Sequence, residues 1–293
     1  MKTILITGGT GFLGSNILLK LLKKNYKIIL LKRSFSDASR LKTCLAKMIV
    51  YDIDKTSVES VFKNNKIDIV LHCATDYGRK KKKPSSIINA NLILPLQLLE
   101  LAQDYGVKCM INTDTILDKR VSYYSLSKNH FRDWLQLLAG NTVCINVAIE
   151  HFYGAGDDKT KFVSFIIDSL LGNVDKIELT KGEQKRDFVF IEDVVDAFLR
   201  IINNSGKMKK GYYYYQIGSD KQITIRETVE ALKKISGNKI TALNFGALPY
   251  RKNEVMKSKV DTTRLRKLGW KPKVTLLEGL RKTVKLERKR REL

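Results

Sequence analysis

Two residues four apart, Tyr124 and Lys128, have the types and the spacing for proton transfer at a carbonyl. On a helix that spacing puts phenol and ammonium on one face. A nearby cation favours phenolate and draws a tyrosine pKa down from about 10. Such a tyrosine can give a proton to a carbonyl oxygen as hydride arrives and then recover it. Tyr51 with Lys55 and Tyr77 with Lys81 repeat the spacing, so in a lysine-rich chain spacing alone does not choose. Position does: only Tyr124 opens a helical pattern just downstream of an apolar strand, 109–112, with the hydroxyl of Thr113 at its end.

The second chemistry-bearing pattern is a phosphate cradle at the start of the chain. Ile4, Leu5 and Ile6 stop at Thr7, glycines follow at Gly8, Gly11 and Gly14, and Leu13, Ile17, Leu18, Leu21 and Leu22 then recur at helical spacing. This reads as strand, tight turn, helix. Glycine there tolerates positive φ and leaves no Cβ between backbone and ligand, so a pyrophosphate can lie against N–H groups at the positive helix end. The ligand this pattern suits is a dinucleotide.

These residues need a scaffold of alternating strands and helices, and the chain supplies one. A second strand at 27–31 ends in Lys32, Arg33 and Ser34. At that place an acid suits the adenosine 2′-hydroxyl of NAD, whereas a positive side chain accommodates a 2′-phosphate. The pattern therefore favours NADP(H), with NAD as the alternative; the bland reading is a pair of surface charges. The stretch 67–73 is apolar on both faces, as a central parallel strand requires, and makes His72 a core histidine rather than a catalyst. The loop 76–84 carries Arg79, Lys80, Lys81, Lys82 and Lys83, which either meet substrate phosphates or are simply solvated. A long helix at 86–105, closed by Gly106, precedes the fifth strand, and a sixth spans 143–148. From 151 the alternation loosens. A helix at 161–171 and a capping box at Thr224 and Glu227 opening a helix closed by Gly237 lie in this part. The expected architecture is α/β: a doubly wound parallel, Rossmann-type sheet over 1–150, with 187–218 returning to it, and a smaller α/β substrate-binding lobe over 151–293.

The 293 residues include 54 Lys and Arg against 30 Asp and Glu, a formal charge of +24. Such a balance first suggests nucleic acid. The basic residues are spread along what read as polar helix faces, however, with dense runs only at 79–83 and 288–291. A solvated basic surface that attracts an anionic substrate is the favoured reading, and a non-catalytic RNA-binding protein is the alternative of another class. Cys44, Cys73, Cys109 and Cys144 lie in or beside apolar runs without a CxxC pair, which argues for reduced thiols rather than a disulfide frame or a metal site. No apolar run of about 18 residues occurs. These features predict a cytoplasmic protein that does not engage a membrane.

The loop Thr7 to Gly14, the pair Tyr124 and Lys128, and the segments around Asn91, Gly154 and Arg186-Asp187-Phe188 together resemble the extended short-chain dehydrogenase/reductases, the NAD-dependent epimerase/dehydratase family. Within that family the chain is most similar to the CDP-abequose and CDP-paratose synthase group. Thr75-Asp76-Tyr77-Gly78, Asn112-Thr113-Asp114-Thr115, Glu150-His151-Phe152-Tyr153-Gly154, the stretch from Thr180 to Phe188, and Phe245-Gly246-Ala247 with Asn253-Glu254-Val255-Met256 carry this closer likeness. The resemblance implies NADPH-dependent reduction of the C4 ketone of a nucleotide-linked, CDP-type 3,6-dideoxyhexos-4-ulose in surface-polysaccharide biosynthesis. An NAD-retaining nucleotide-sugar 4-epimerase is the runner-up.

In roles, it implies Tyr124 as acid, Lys128 holding the nicotinamide ribose, and Thr113 polarising the ketone. Cofactor contacts are implied at Thr7, Gly8, Gly11, Phe12, Leu13, Gly14, Lys32, Arg33, Ser34, Asp52, Ile53, Cys73, Ala74, Thr75 and Asn91. Substrate contacts are implied at Asp114, His151, Arg186 and Arg251, and dimerisation through helices near 86–105 and 124–139. His151 stands where many relatives have Asn, and a turn histidine bonded to backbone is an equal reading. Related 4,6-dehydratases carry Thr-Asp-Glu where this chain has Thr113-Asp114-Thr115; without the Glu, water elimination lacks its base.

Overall fold

A computed structural model describes residues 1–79 and 83–292. Lys80, Lys81 and Lys82, the middle of the basic loop considered for substrate phosphates, lie outside the described residues. In chain order the elements are β1 (Thr3–Thr7), α1 (Phe12–Leu22), β2 (Lys27–Lys32), β3 (Ile49–Asp52), α2 (Val58–Asn64), β4 (Ile69–His72), α3 (Pro84–Ile88), α4 (Leu94–Asp104), β5 (Cys109–Thr115), α5 (Tyr123–Leu137) and β6 (Val143–Ile149). There follow β7 (His151–Tyr153), α6 (Phe162–Leu171), β8 (Lys176–Leu179), β9 (Lys185–Phe190), α7 (Ile191–Ser205), β10 (Gly211–Ile217), β11 (Gln222–Thr224), α8 (Ile225–Ser236), β12 (Ala242–Phe245), α9 (Thr263–Lys267) and α10 (Leu276–Arg291).

The chain divides into two compact units. The first comprises Met1–Ile149, Val195–Gln216 and Arg264–Trp270. Its sheet runs β10-β6-β5-β4-β1-β2-β3, and the pairings from β3 across to β6 are parallel. Strand order reverses between β1 and β4, the switch point outside whose carboxyl ends ligands bind in such sheets. Central strands buried on both faces explain the near-continuous apolar runs Ile4–Ile6 and Ile69–Leu71. Leu5, Val70 and Met110 pack from the sheet against Leu98, Leu99, Phe131 and Leu135 of α4 and α5. Burying each such side chain contributes about 1.5–3 kcal/mol. This is what presses α5, and the residues it carries, onto the sheet.

Two departures from the sequence expectation bear on the site. β5 does not stop at Asn112; pairing with β6 continues to Thr115 against Ile149. The expected helix at 86–105 is split by a π turn, Asn89–Ile93, in which Leu94 N–H bonds Asn89 O. Pro95 is the cause: it has no N–H for Asn91 O, and its ring would press on that carbonyl, so the backbone widens one turn earlier. Among the described residues, Pro84–Asp104 is also a stretch long and apolar enough to cross a bilayer by length and composition, and a third of it is buried here.

The second unit comprises Glu150–Val194, Ile217–Thr263 and Lys271–Leu293, its last residue lying outside the described part. It holds a three-stranded sheet, β11-β9-β7, and the pair β12-β8, with α6, α8 and α10 packed together. Because β9 pairs with β7 and β11, the segment returning to the first unit starts at Val195 rather than at 187. α8 is opened by reciprocal hydrogen bonds between Thr224 and Glu227 and closed by left-handed Gly237.

Candidate active site

The first unit gathers most of the chemistry-bearing residues at the carboxyl ends of β1, β4 and β5. Ser122 caps α5, its hydroxyl accepting from Ser125 N–H while Ser125 Oγ accepts from Ser122 N–H. This fixes the first turn, on which Tyr124 sits. One turn on, Lys128 is 1 % exposed, and its Nζ has no hydrogen-bond partner in the described structure. Burial pulls its pKa down to about 8, against the upward pull of Asp114 and Cys73.

The tyrosine behaves differently from its sequence expectation. Burial, with Tyr77 and Asp114 adding to it, holds the Tyr124 pKa well above the usual phenol value. The neighbouring cation does not reverse this, because Lys128 is itself desolvated. The Thr115 side chain is the influence that favours its charged form. Thr113, the hydroxyl expected to serve the carbonyl oxygen, is buried two residues back along β5 and shares a strand face with Thr115.

Asp114 points to the other face, where its carboxylate is fully engaged. Oδ2 accepts from Arg132 Nε and Asn146 Nδ2, each at 2.6 Å, and Oδ1 from Thr115 N–H at 2.7 Å. Arg132 also donates to Thr115 O at 2.8 Å. Arg132 and Asn146 were not singled out from the sequence. The signal was there for Arg132, which follows Lys128 by four and so shares its helix face; for Asn146 only strand register could have found it.

At the glycine turn, α1 begins at Gly11 with no side chain capping it and no acidic residue in its first turn, leaving a helix end open to an anion. Gly8 has φ +66, and a Cβ there would fall 2.4 Å from Ala74 N, so the turn packs against the end of β4 as only glycine can. Thr7 Oγ1 accepts from Ala74 N–H at 3.3 Å and lies 2.8 Å from Nδ1 of fully buried His72. Burial and Lys128 push the His72 pKa well down, which suits a neutral core histidine. Phe12 and Leu13 open α1, and Cys73, Ala74 and Thr75 follow β4. Asn91, on the π turn, accepts from Asp76 N–H and donates to Asp76 O and to Ser127 Oγ.

At the end of β2, Lys32 Nζ lies 2.6 Å from Asp52 Oδ1, next to Ile53, and Ser34 bonds Asp54 through its N–H and hydroxyl. Arg33 lies over the Phe35 ring at 4.8 Å, and among the described residues no carboxylate pairs with its guanidinium. An unpaired buried ammonium on α5 together with an uncapped helix end at the glycine turn fits a dinucleotide.

In the second unit, His151 Nδ1 lies 2.8 Å from Glu150 Oε2. Arg186 is buried and donates to Glu254 at 2.5 Å and to Val255 O and Lys185 O. Arg251 is exposed. The four cysteines are unbridged; Cys44, Cys109 and Cys144 are buried, and burial raises the thiols of Cys73, Cys109 and Cys144 to about 12.

A switch-point sheet with a glycine turn on β1 and a helix-borne Tyr and Lys beyond β5 defines a nucleotide-dependent oxidoreductase of the short-chain type. The chain matches the model of the NAD dependent epimerase/dehydratase family over residues 4–218 and belongs to that family. It is 33% identical to a CDP-abequose synthase of Salmonella muenchen over 98% of both chains. Among solved structures it is similar to a UDP-glucose 4-epimerase of Thermotoga maritima solved with UDP-glucose, with TM-score 0.86, 27% identity, and coverage of 98% of this chain and 99% of that one. A Thermus thermophilus UDP-glucose 4-epimerase in complex with NAD shares the fold, with TM-score 0.83, 23% identity, and 98% and 99% coverage. The chain is therefore an enzyme of sugar-nucleotide metabolism that uses a nicotinamide cofactor.

Proposed function

We propose that this enzyme reduces the C4 ketone of a nucleotide-linked, CDP-type 3,6-dideoxyhexose with NADPH, as a step toward surface polysaccharide. The observation that carries the proposal is the placement of Tyr124 and Lys128 on successive turns of α5, beside the buried hydroxyls of Thr113 and Thr115. The likeness to CDP-abequose synthase supports the substrate class. Arg33, at the end of β2 and without a carboxylate partner among the described residues, supports NADPH over NADH. Gly8, Gly11 and the start of α1 would hold the diphosphate, and Lys128 the nicotinamide ribose.

The cofactor, when bound, supplies hydride to the carbonyl carbon. Tyr124 donates its phenolic proton to the carbonyl oxygen, so that ketone, hydride and proton together give the alcohol. Its raised pKa suits that task, since the donor stays protonated at neutral pH. The Thr113 hydroxyl donates a hydrogen bond to the same oxygen. Lys128 attracts the phenolate left on Tyr124, which then recovers a proton. Thr115 in place of a carboxylate gives elimination no base. Asp114, tied to Arg132 and Asn146, contributes by holding β5 rather than by touching sugar. Arg251 remains a candidate for the substrate diphosphate, a task suited to its planar fork of donors.

The second reading, an NAD-retaining 4-epimerase, is favoured by the likeness to the Thermotoga epimerase. It uses the same tyrosine and lysine. The test is NADPH oxidation against a panel of nucleotide 4-keto-6-deoxy and 3,6-dideoxy sugars, with Tyr124→Phe alongside. We expect turnover that the variant loses by at least about 100-fold while NADPH binding is kept. An undiminished rate would end the assignment, and NAD copurifying tightly with the protein would transfer it to the epimerase. A homodimer is part of this proposal, supported by exposed Ile88, Ile93, Trp134 and Leu137 on α3, the π turn and α5. So is a cytoplasmic location, supported by the unbridged cysteines.

A further inference from the structure

Tyr77 stands on the loop between β4 and α3 and lays its ring against that of Tyr124, with centroids 4.9 Å apart and planes at 39°. The backbone on both sides of it is fixed. Fully buried Asn91 accepts from Asp76 N–H and donates to Asp76 O, both at 2.8 Å. Asp76 Oδ1 accepts from Gly78 N–H at 2.9 Å, closing a turn that Gly78 completes at φ +67. A Cβ at Gly78 would meet Ile87 Cδ1 at 2.7 Å, so the turn is also seated against α3.

The same Asn91 amide donates to Ser127 Oγ at 3.0 Å, and Ser127 Oγ donates to Tyr124 O at 2.9 Å. One buried side chain thus sets both the loop under Tyr77 and the helical turn under Tyr124. The Arg79 guanidinium lies 5.0 Å from the Tyr77 ring centroid and adds a cation–π contact. A residue 41 % exposed would not ordinarily be held so firmly. The π turn is what brings Asn91 to this position, and such turns are frequent at functional sites.

We propose that Tyr77 is a positioning residue for Tyr124, its clamped ring confining the catalytic ring to one orientation. This rests on the reading of Tyr124 as the proton donor. A tyrosine on the first turn of a helix has two free side-chain torsions, and the second ring, 4.9 Å away, restricts both. Small displacements of a reacting group cost large factors in rate, so the contribution falls on turnover rather than on affinity. The groups that act on the Tyr124 phenol are Tyr77 from the loop, with Asp114 and the Thr115 side chain from β5. Tyr77 and Asp114 both oppose its ionisation. Removing the Tyr77 hydroxyl therefore moves the alkaline limb of the reduction rate, where the donor loses its proton, to lower pH.

The experiment compares Tyr77→Ala, Tyr77→Leu and Tyr77→Phe with the unaltered enzyme and with Tyr124→Phe. It reads kcat, KM for the keto sugar, NADPH affinity, the pH–rate profile and Tm. Tyr77→Ala and Tyr77→Leu should lose about tenfold in kcat, with KM and NADPH affinity changed by less than about threefold. Tyr77→Phe should recover most of that loss while sharing the downward shift of the alkaline limb. Since Tyr77 is half exposed, Tm should stay within a few degrees for all three. The inference is overturned if Tyr77→Ala and Tyr77→Leu turn over like the unaltered enzyme, if the whole effect is on KM, or if Tyr77→Phe is as slow as Tyr77→Ala. If Tyr124→Phe itself keeps its rate, the proton-donor reading has failed and takes this inference with it; if only Tyr124→Phe is slow, this inference alone has failed.

Discussion

Lys128 holds an ammonium at 1 % exposure with no hydrogen-bond partner for its Nζ among the described residues, an arrangement that costs stability until something binds there. Its pKa falls from 10.5 to about 8 on folding, chiefly through burial. The sign follows from proton counting. A lysine whose pKa is depressed in the folded state destabilises it below the folded value, and the penalty disappears as pH rises from about 8 toward 10.5, where the unfolded chain binds more protons. The shift corresponds to roughly 3 kcal/mol at neutral pH, as an order of magnitude. Lys128→Met keeps the apolar stem and removes the charge. The cofactor-free variant should therefore be more stable than the parent at pH 7, by about 1–3 kcal/mol in urea unfolding, with the advantage shrinking by pH 10. A variant less stable at pH 7, or an advantage equal at both pH values, would contradict this account. The same desolvation explains why Tyr124 does not show the lowered pKa that its spacing from Lys128 suggested: sequence spacing gives proximity, but burial decides the sign.

Asp114 and Arg132 join β5 to α5, and the join controls how Thr115 meets the phenol. Removing one partner of a buried pair leaves an uncompensated charge, which costs about 3–5 kcal/mol, whereas removing both costs much less. Arg132→Met should accordingly destabilise by about 3 kcal/mol, and the double variant Asp114→Asn, Arg132→Met should regain at least half of that in thermal unfolding. A strictly additive pair would show that the two side chains act separately. Much at this scale was legible beforehand. The glycine turn, the strands β1, β2, β4 and β6, the capping box at Thr224 and the helix carrying Tyr124 all have local signatures, which periodicity and caps report. The extension of β5 through Thr115 had none, because Thr-Asp-Thr reads as loop and only pairing with β6 makes it strand. The π turn was hidden for a related reason: Pro95 marks where a helix can break, but it does not say that Asn91 will turn inward to clamp a loop. Nor could Tyr77 be linked to Tyr124, since the contact crosses 47 residues of sequence and depends on that clamp.

The charge of the molecule, 54 Lys and Arg against 30 Asp and Glu, acts at longer range than any of these contacts. A positive surface raises the local concentration of an anion and speeds its encounter, and the effect fades once salt shortens the Debye length to about 10 Å at 0.1 M. A nucleotide diphosphate sugar and NADPH are both anions, so the surface should work on association rather than on chemistry. Between about 20 and 300 mM salt, kcat/KM for the sugar nucleotide should fall several-fold while kcat stays nearly constant, and a neutral keto substrate should show no such fall. The alternative of a nucleic-acid partner makes a different demand. Counterion release would give RNA affinity a far steeper salt dependence, falling by a thousandfold or so over a fourfold rise in salt, and indifference to Tyr124→Phe. Steady-state rates and filter binding across one salt series separate the two: a kcat/KM independent of salt would remove the steering role, and tight, steeply salt-dependent RNA binding would give the basic surface another partner.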